Sequence, residues 1–360
     1  MRPQATRSLT FATPGGALGW SFDEIPLPIP RNSVLVQVSR STIGSVDSAI
    51  YKTSRLWVRE KGVGRDFVGK ILYVGSGQQA NWKEGDLVMG MYYHLYGPGT
   101  LASHVLINPG NDHIVRVPDY ITEDEAVSIP LSFTMAYQCL TEIRLSKDST
   151  VCVLGGSTSI GMFAVQLAKK YFGVKTVVAT CSAKNKNLVK LMGADEIVDY
   201  TSVDERDLIP ALVKSLTWPP AEPNTGSVPG FDLVVDTVGV TPFMMANLKT
   251  LTPAKTGWFV STVGELDGDG TLFLSSLSPG KVISGAVFGP RYKVEFGHSS
   301  EGALKLALEL FKECKLKVMV ESVIDWNKYQ EGMDKLCGNP DHENHSERNP
   351  GKIVVQVEMF

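Results

Sequence analysis

The chain has 360 residues, 43% hydrophobic and 20% charged, which suits one large or two modest folded domains and excludes global disorder. A formal net charge of -3 gives no electrostatic case for nucleic acid. No run approaches the ~20 apolar residues of a membrane span. In chain order, residues 8–13 read as a strand and Pro14, Gly15 and Gly16 as a turn, so a first hairpin is expected. Arg2 and Arg7, with no acid before Asp23, also resemble a mitochondrial presequence, but the hairpin reading is preferred. Further strands are expected at 34–39, 68–74 and 87–91, with turn chemistry at Gly75, Ser76 and Gly77 and at Glu84, Gly85 and Asp86.

From residue 151 the pattern changes. Apolar β-runs at 151–154, 176–180, 196–199, 233–236 and 258–261 alternate with helical stretches at 162–172, 186–192 and 208–216. That alternation is the signature of parallel βαβ units. Residues 219–230, rich in Pro and Gly, read as a surface loop, and 281–288 as an edge or internal strand. A helix over 301–314 is apolar at Leu304, Ala307, Leu308 and Phe311, and a strand at 352–357 follows. The fold class is therefore α/β, with a β-rich first third, an αβ middle and a tail that returns to the first domain.

The strand at 151–154 runs into Gly155, Gly156, Ser157, Thr158, Ser159, Ile160 and Gly161 and then a helix. A strand, a small-residue turn and a helix N-terminus together present backbone N–H groups and a positive dipole end to a pyrophosphate. The glycine pattern is incomplete, because Thr158 or Ser159 stands where a middle glycine is expected. After the second strand of this region there is no ribose-reading acid; the residues are Cys181, Ser182, Ala183, Lys184, Asn185 and Lys186. A hydroxyl and two cations suit a ribose 2′-phosphate, so NADPH is the expected cofactor.

The five cysteines, at 139, 152, 181, 314 and 337, are too far apart for a CxxC or zinc-finger pair and suggest reduced thiols in an intracellular, cytoplasmic setting. His342 and His345 fall in a polar loop with no apolar frame for a metal, and no metal site is expected.

The order of Gly64-Arg65-Asp66-Phe67-Val68-Gly69, Gly85-Asp86-Leu87-Val88, Pro130-Leu131-Ser132-Phe133-Thr134, the turn at 155–161, Met192-Gly193-Ala194-Asp195, Asp232 to Gly239 and Gly351 to Val355 resembles the medium-chain dehydrogenase/reductases. The resemblance is to their zinc-free, quinone-oxidoreductase-like branch. The Gly155–Thr158 turn is similar to that of fungal trans-acting enoyl reductases, and Met89 to Gly97 with Gly99 to Leu101 to the fungal Yim group. It implies a GroES-like catalytic domain, split over 1–128 and 291–360, interrupted by a Rossmann domain at 129–290 with the cofactor in the cleft between them. Zinc-dependent relatives carry cysteine and Gly-His-Glu where this chain has Ile43-Gly44-Ser45 and Gly64-Arg65-Asp66, which implies no catalytic zinc. It also places Thr134 near the nicotinamide, Ser182 and Tyr200 at the adenosine phosphate, and Val238 and Gly264 among the cofactor contacts. Asn185 holds the position of the usual phosphate-binding lysine, so Lys184 or Lys186 must substitute, and Gly44 replaces a common active-site asparagine.

The chemistry implied is hydride transfer from NADPH to a quinone or an α,β-unsaturated carbonyl, with a proton delivered by the protein. The candidate donors are Tyr51, Tyr92, Tyr93, His94 and Tyr96, with Tyr51 and the Tyr93–His94 pair preferred. Arg65 suits an anionic substrate or a loop salt bridge equally. The alternative is an NADPH-binding sensor or scaffold with little turnover, and a homodimer through the Rossmann sheet edge is a further expectation.

Overall fold

The computed structural model describes residues 3–13, 15–53, 61–92, 94, 97–216, 230–252, 257–263, 291–295, 297–337 and 350–358. The chain divides into two units: Met1–Thr134, His298–Lys312 and Val318–Phe360 form the first, and Met135–Gly297 with Glu313–Lys317 the second. The expected loop at 219–230 (apart from Gly230), the strand at 281–288 and the His342–His345 loop lie outside the described residues.

The first unit is β-rich. Its strands are β1 (Gln4–Phe11), β2 (Gly19–Ile25), β3 (Val34–Ile43), β4 (Lys61–Gly62), β5 (Asp66–Val74), β6 (Leu87–Met91), β7 (His104–Ile107) and β8 (Ile114–Arg116). Between β3 and β4 sits α1 (Ser45–Thr53), and α2 (Glu123–Val127) and α3 (Pro130–Thr141) follow β8. β1 and β2 form the expected hairpin, although β1 spans 4–11, not 8–13. β3 extends past the expected 39 to Ile43, and in its last four residues Thr42 and Ile43 are buried.

The second unit opens with β9 (Thr150–Leu154) and α4 (Ser159–Gln166). It continues through β10 (Thr176–Cys181), α5 (Lys186–Met192), β11 (Glu196–Asp199), α6 (Glu205–Ser215), β12 (Leu233–Asp236), α7 (Pro242–Ala246), α8 (Leu248–Leu251), β13 (Trp258–Ser261) and β14 (Arg291–Val294). All its strand pairs are parallel, in the order β11-β10-β9-β12-β13-β14. This is the doubly wound Rossmann order, in which the direction of strand addition reverses beside β9. Every residue of β12 is buried, as expected for a parallel strand covered on both faces. The helix expected at 162–172 is α4 followed by a π-helical turn, Leu167–Tyr171, where Phe172 N–H bonds Leu167 O at 2.9 Å.

The tail comprises α9 (Glu301–Lys312), β15 (Val320–Asp325), α10 (Tyr329–Cys337) and β16 (Lys352–Gln356). α9 stops before Cys314, whose φ of 56° a continuing helix cannot adopt. β16 pairs with β15 and β3, completing a seven-stranded sheet in the order β15-β16-β3-β5-β6-β8, with β7 also on β3. The GroES-like β-rich unit is thus interrupted by the Rossmann unit. Its core gathers Leu9, Val36, Phe67, Ile107, Trp326 and Val355, and the core of the second unit Cys152, Phe231, Val234 and Phe259. Among the described residues no helix is long and apolar enough to cross a membrane.

Candidate functional site

At the end of β9 the chain turns sharply. Gly155 has φ of 84°, a region costly for residues with a Cβ. A Cβ on Gly161 would lie 2.0 Å from the Gly155 carbonyl oxygen, and one on Gly156 only 2.8 Å from Ala179 Cβ. These glycines let the strand, turn and helix pack at contact distance.

Thr158, which breaks the expected glycine pattern, has an ordinary place in this turn. It is the N-cap of α4, and its Oγ1 accepts the Gly161 N–H at 2.9 Å. An N-cap side chain satisfies one of the first-turn N–H groups that a helix cannot bond internally. Ser159, Ile160 and Gly161 form that first turn, and Ser157 and Ser159 are partly exposed.

The turn after β12 packs against it. The Thr158 and Thr237 hydroxyls are 2.8 Å apart, and Thr237 Oγ1 donates to Leu154 O at 2.8 Å. Asp236, fully buried, accepts the N–H groups of Val238 and Gly239 at 3.0 Å each and the Ser261 hydroxyl at 2.5 Å. Burial pushes its carboxyl up to about 6 against those hydrogen bonds. Val238 is 48% exposed at the rim, and Gly264 lies outside the described residues.

At the end of β10, Thr180 binds the glycine turn twice, its carbonyl accepting Gly156 N–H at 2.7 Å and its Oγ1 accepting Gly155 N–H at 2.8 Å. Ser182 follows, partly exposed, and its hydroxyl caps no helix N–H. Lys184 and Lys186 are exposed, while Asn185 is turned inward and buried. Tyr200 is half exposed.

In the first unit, Thr134 is buried in α3 and its hydroxyl has no hydrogen-bond partner among the described residues. The Tyr51 hydroxyl donates to Gly16 O at 2.7 Å and its ring meets Phe11 edge-on, so this tyrosine ties α1 to the first hairpin loop. His94 Nε2 lies 2.7 Å from Asp112 Oδ1, and the His94 ring rests on Tyr92 with centroids 4.1 Å apart. Tyr93 and Tyr96 fall outside the described residues. Tyr51 and the His94–Asp112 pair therefore have separate sets of partners.

Beside β5 lies a group of buried charges. Asp66 accepts Leu131 N–H on Oδ1 at 2.7 Å, and on Oδ2 the Thr42 hydroxyl at 2.7 Å and Lys352 Nζ at 2.9 Å. Asp47 accepts the N–H groups of Gly44 at 2.9 Å and Gly64 at 2.8 Å. Burial raises its pKa, and the nearby Arg65 and Lys352 charges oppose that rise. Arg65 is 2% exposed and donates from Nη1 to Gly64 O. A Cβ on Gly44 would stand 3.4 Å from Lys352 Nζ. Among the described residues no three His, Cys, Asp or Glu side chains are grouped as a metal site.

A family model described as zinc-binding dehydrogenase matches residues 159–294. Protein YIM1 of Saccharomyces cerevisiae is 29% identical over 346 residues, covering 91% of this chain and 90% of its own. The quinone oxidoreductase of Coxiella burnetii superposes with a TM-score of 0.75 at 21% identity, over 99% of this chain and 100% of its own. CurK enoyl reductase does so with a TM-score of 0.73 at 18% identity, over 98% and 99%. The chain is similar to the medium-chain dehydrogenase/reductases in sequence and in fold. The chain has the strand–turn–helix expected of a dinucleotide site, with the capping residue Thr158 where the expected pattern has a glycine.

Sequence reasoning missed Thr237, Asp236 and Asp47 as organisers of these turns. The signal for Asp236 was a carboxylate closing a run of apolar residues, where a buried acid must find donors. Lys352 appeared only as part of a motif, and nothing local in the sequence pairs it with Asp66.

Proposed function

We propose that this protein is an NADPH-dependent, zinc-independent reductase of a quinone or an α,β-unsaturated carbonyl, acting in the cytoplasm. The observation that carries the reading is the end of β10, where Ser182 presents an uncommitted cap hydroxyl beside exposed Lys184 and Lys186, and no acid stands among the six residues from Cys181 to Lys186. A carboxylate there would bind a ribose 2′-hydroxyl; a hydroxyl and cations bind a 2′-phosphate. The first turn of α4 suits the pyrophosphate, and the buried Thr134 hydroxyl, with no partner among the described residues, suits the nicotinamide carboxamide. Tyr200 and Val238 flank the adenosine and nicotinamide ends in this reading.

The dinucleotide, when bound, supplies the hydride. The protein's own contribution is to orient both reactants and hold a proton. His94, half exposed and paired with Asp112, is the group assigned to that proton; the Tyr51 hydroxyl already donates to Gly16. Zinc does not fit the positions that hold it in zinc-dependent relatives. Gly44 offers no side-chain donor, Arg65 is a cation, and both Asp66 oxygens are engaged by Leu131, Thr42 and Lys352. A conjugated acceptor needs no metal, because the charge from hydride addition spreads over its π-system.

Gly44 and the inward Asn185 favour a second reading, an NADPH sensor without turnover. The test is to follow NADPH absorbance with a panel of quinones and enones. Saturable oxidation, lost in a Ser157→Ala/Ser182→Ala double variant, is the expected result. Tight NADPH binding with no turnover on any acceptor selects the sensor. A preference for NADH, or no binding of either dinucleotide, overturns the reading.

A further inference from the structure

The buried charges beside β5 are unevenly satisfied. Lys352 is neutralised by Asp66 at 2.9 Å, and Asp47 spends both oxygens on backbone N–H groups. Arg65 is different. Its guanidinium is almost wholly buried, and among the described residues its Nη1 serves only the neutral Gly64 carbonyl and its Nε–H has no acceptor. Among the described residues no carboxylate lies within 4.0 Å of it, so the loop salt bridge is not formed there. Lys61, 7% exposed, sits in the same field, and its pKa is lowered by burial and by the Arg65 charge.

A buried cation with an unmade charge-assisted hydrogen bond is costly, and a ligand that completes the bond removes that cost. The Nε edge is the side of a guanidinium that meets a carboxylate with two parallel bonds. Tyr92 supplies a second donor. Its backbone N–H bonds the Arg65 carbonyl at 2.7 Å, its ring is fixed against His94, and its hydroxyl has no hydrogen-bond partner among the described residues. Burial and Asp112 raise the Tyr92 pKa, so the hydroxyl keeps its proton and stays a donor.

We propose that Arg65 and Tyr92 form a receptor for an anionic oxygen of the acceptor, so that the preferred substrates are small conjugated carbonyls carrying a carboxylate or another ionised oxygen. The proposal rests on the reductase reading for the word acceptor only. The anion site itself needs no cofactor.

The experiment is calorimetric titration of the cofactor-free protein with benzoate and with its neutral isostere benzamide. Benzoate is expected to bind at least tenfold more tightly. Arg65→Gln should abolish the difference, and Tyr92→Phe should reduce it several-fold while leaving NADPH affinity unchanged. If Arg65→Gln does not fold, Arg65→Lys serves, keeping the charge but not the fork; benzoate should weaken at least fivefold and benzamide stay the same. Equal binding of the two probes by the wild-type protein overturns the proposal, as does a preference that persists in a folded Arg65 variant. Benzoate selectivity in a protein that turns over no acceptor would sink the reductase reading and leave the anion site standing. With turnover present, the KM of a carboxylate-bearing enone should rise at least tenfold in Arg65→Gln.

Discussion

The hydroxyls of Thr158 and Thr237 meet at 2.8 Å, joining the loop that follows β9 to the loop that follows β12. Those loops flank the point at which strand order reverses, so one contact between two small side chains holds them together there. Thr158→Ala removes both this contact and the N-cap of α4, and should destabilise the second unit by about 1 kcal/mol, as cap deletions do. The check is a denaturation curve with and without NADPH, which should show weaker protection by the cofactor as well as a lower midpoint.

Cofactor choice should depend on charge beyond β10. Ser182→Asp places a carboxylate where the 2′-phosphate is proposed to sit, and Lys184→Gln/Lys186→Gln removes the exposed cations. Both should lower NADPH affinity about tenfold or more, with NADH affinity unchanged in the lysine variant and unchanged or improved in the aspartate variant. Fluorescence titration with each dinucleotide measures it; an equal loss for both would mean the lysines act on fold alone.

Asp236 makes stability depend on pH in an unusual direction for a carboxylate. Its folded pKa, about 6, exceeds the ordinary 3.8, so the folded chain holds the proton more tightly than the unfolded one. Its contribution is therefore full below about pH 4, falls as pH rises to about 6, and is flat above. Asp236→Asn keeps acceptors for Val238 and Gly239 while removing the titration, and should flatten melting temperature across that window. The predicted difference in slope corresponds to on the order of 2–3 kcal/mol.

Lys352→Met should be severe. Lys352 is 4% exposed and its ammonium is the cation paired with the fully buried Asp66, whose other donors are neutral. Leaving that carboxylate uncompensated costs about 3–5 kcal/mol by analogy with other broken buried pairs. A second substitution, Asp66→Asn, should recover part of the loss in urea denaturation, and no recovery would locate the damage elsewhere.

Strands such as Leu233–Asp236 and Lys186–Met192 as a helix were legible residue for residue, because a parallel sheet buried on both faces leaves an unbroken apolar run and a short amphipathic helix its spacing. Thr158 was legible only as a flaw in a glycine pattern; that it caps a helix follows from backbone geometry, which a motif does not encode. Tyr51 was read as a candidate proton donor, and its partner, the Gly16 carbonyl, was not legible because it belongs to a distant loop. Arg65 and Lys352 show the same limit: pairing of buried charges is decided by which strands become neighbours, and here β3, β5 and β16 do so across most of the chain.

The place of β16 between β15 and β3 has a consequence for biosynthesis. Strands β9 to β13 leave the ribosome as one continuous set of local crossovers, so the second unit has what it needs to close early. The first unit has been waiting since its earliest strands emerged: β7 covers Val34–Gln37 of one β3 edge, but Arg40–Ile43 of that edge lack their partner until residues 352–356 arrive. An unpaired β edge is a template for intermolecular pairing, so the nascent chain passes through a long interval in which its older half is sticky and its younger half is finished. Holding that edge apart from other nascent chains is a task for whatever chaperone meets this polypeptide first.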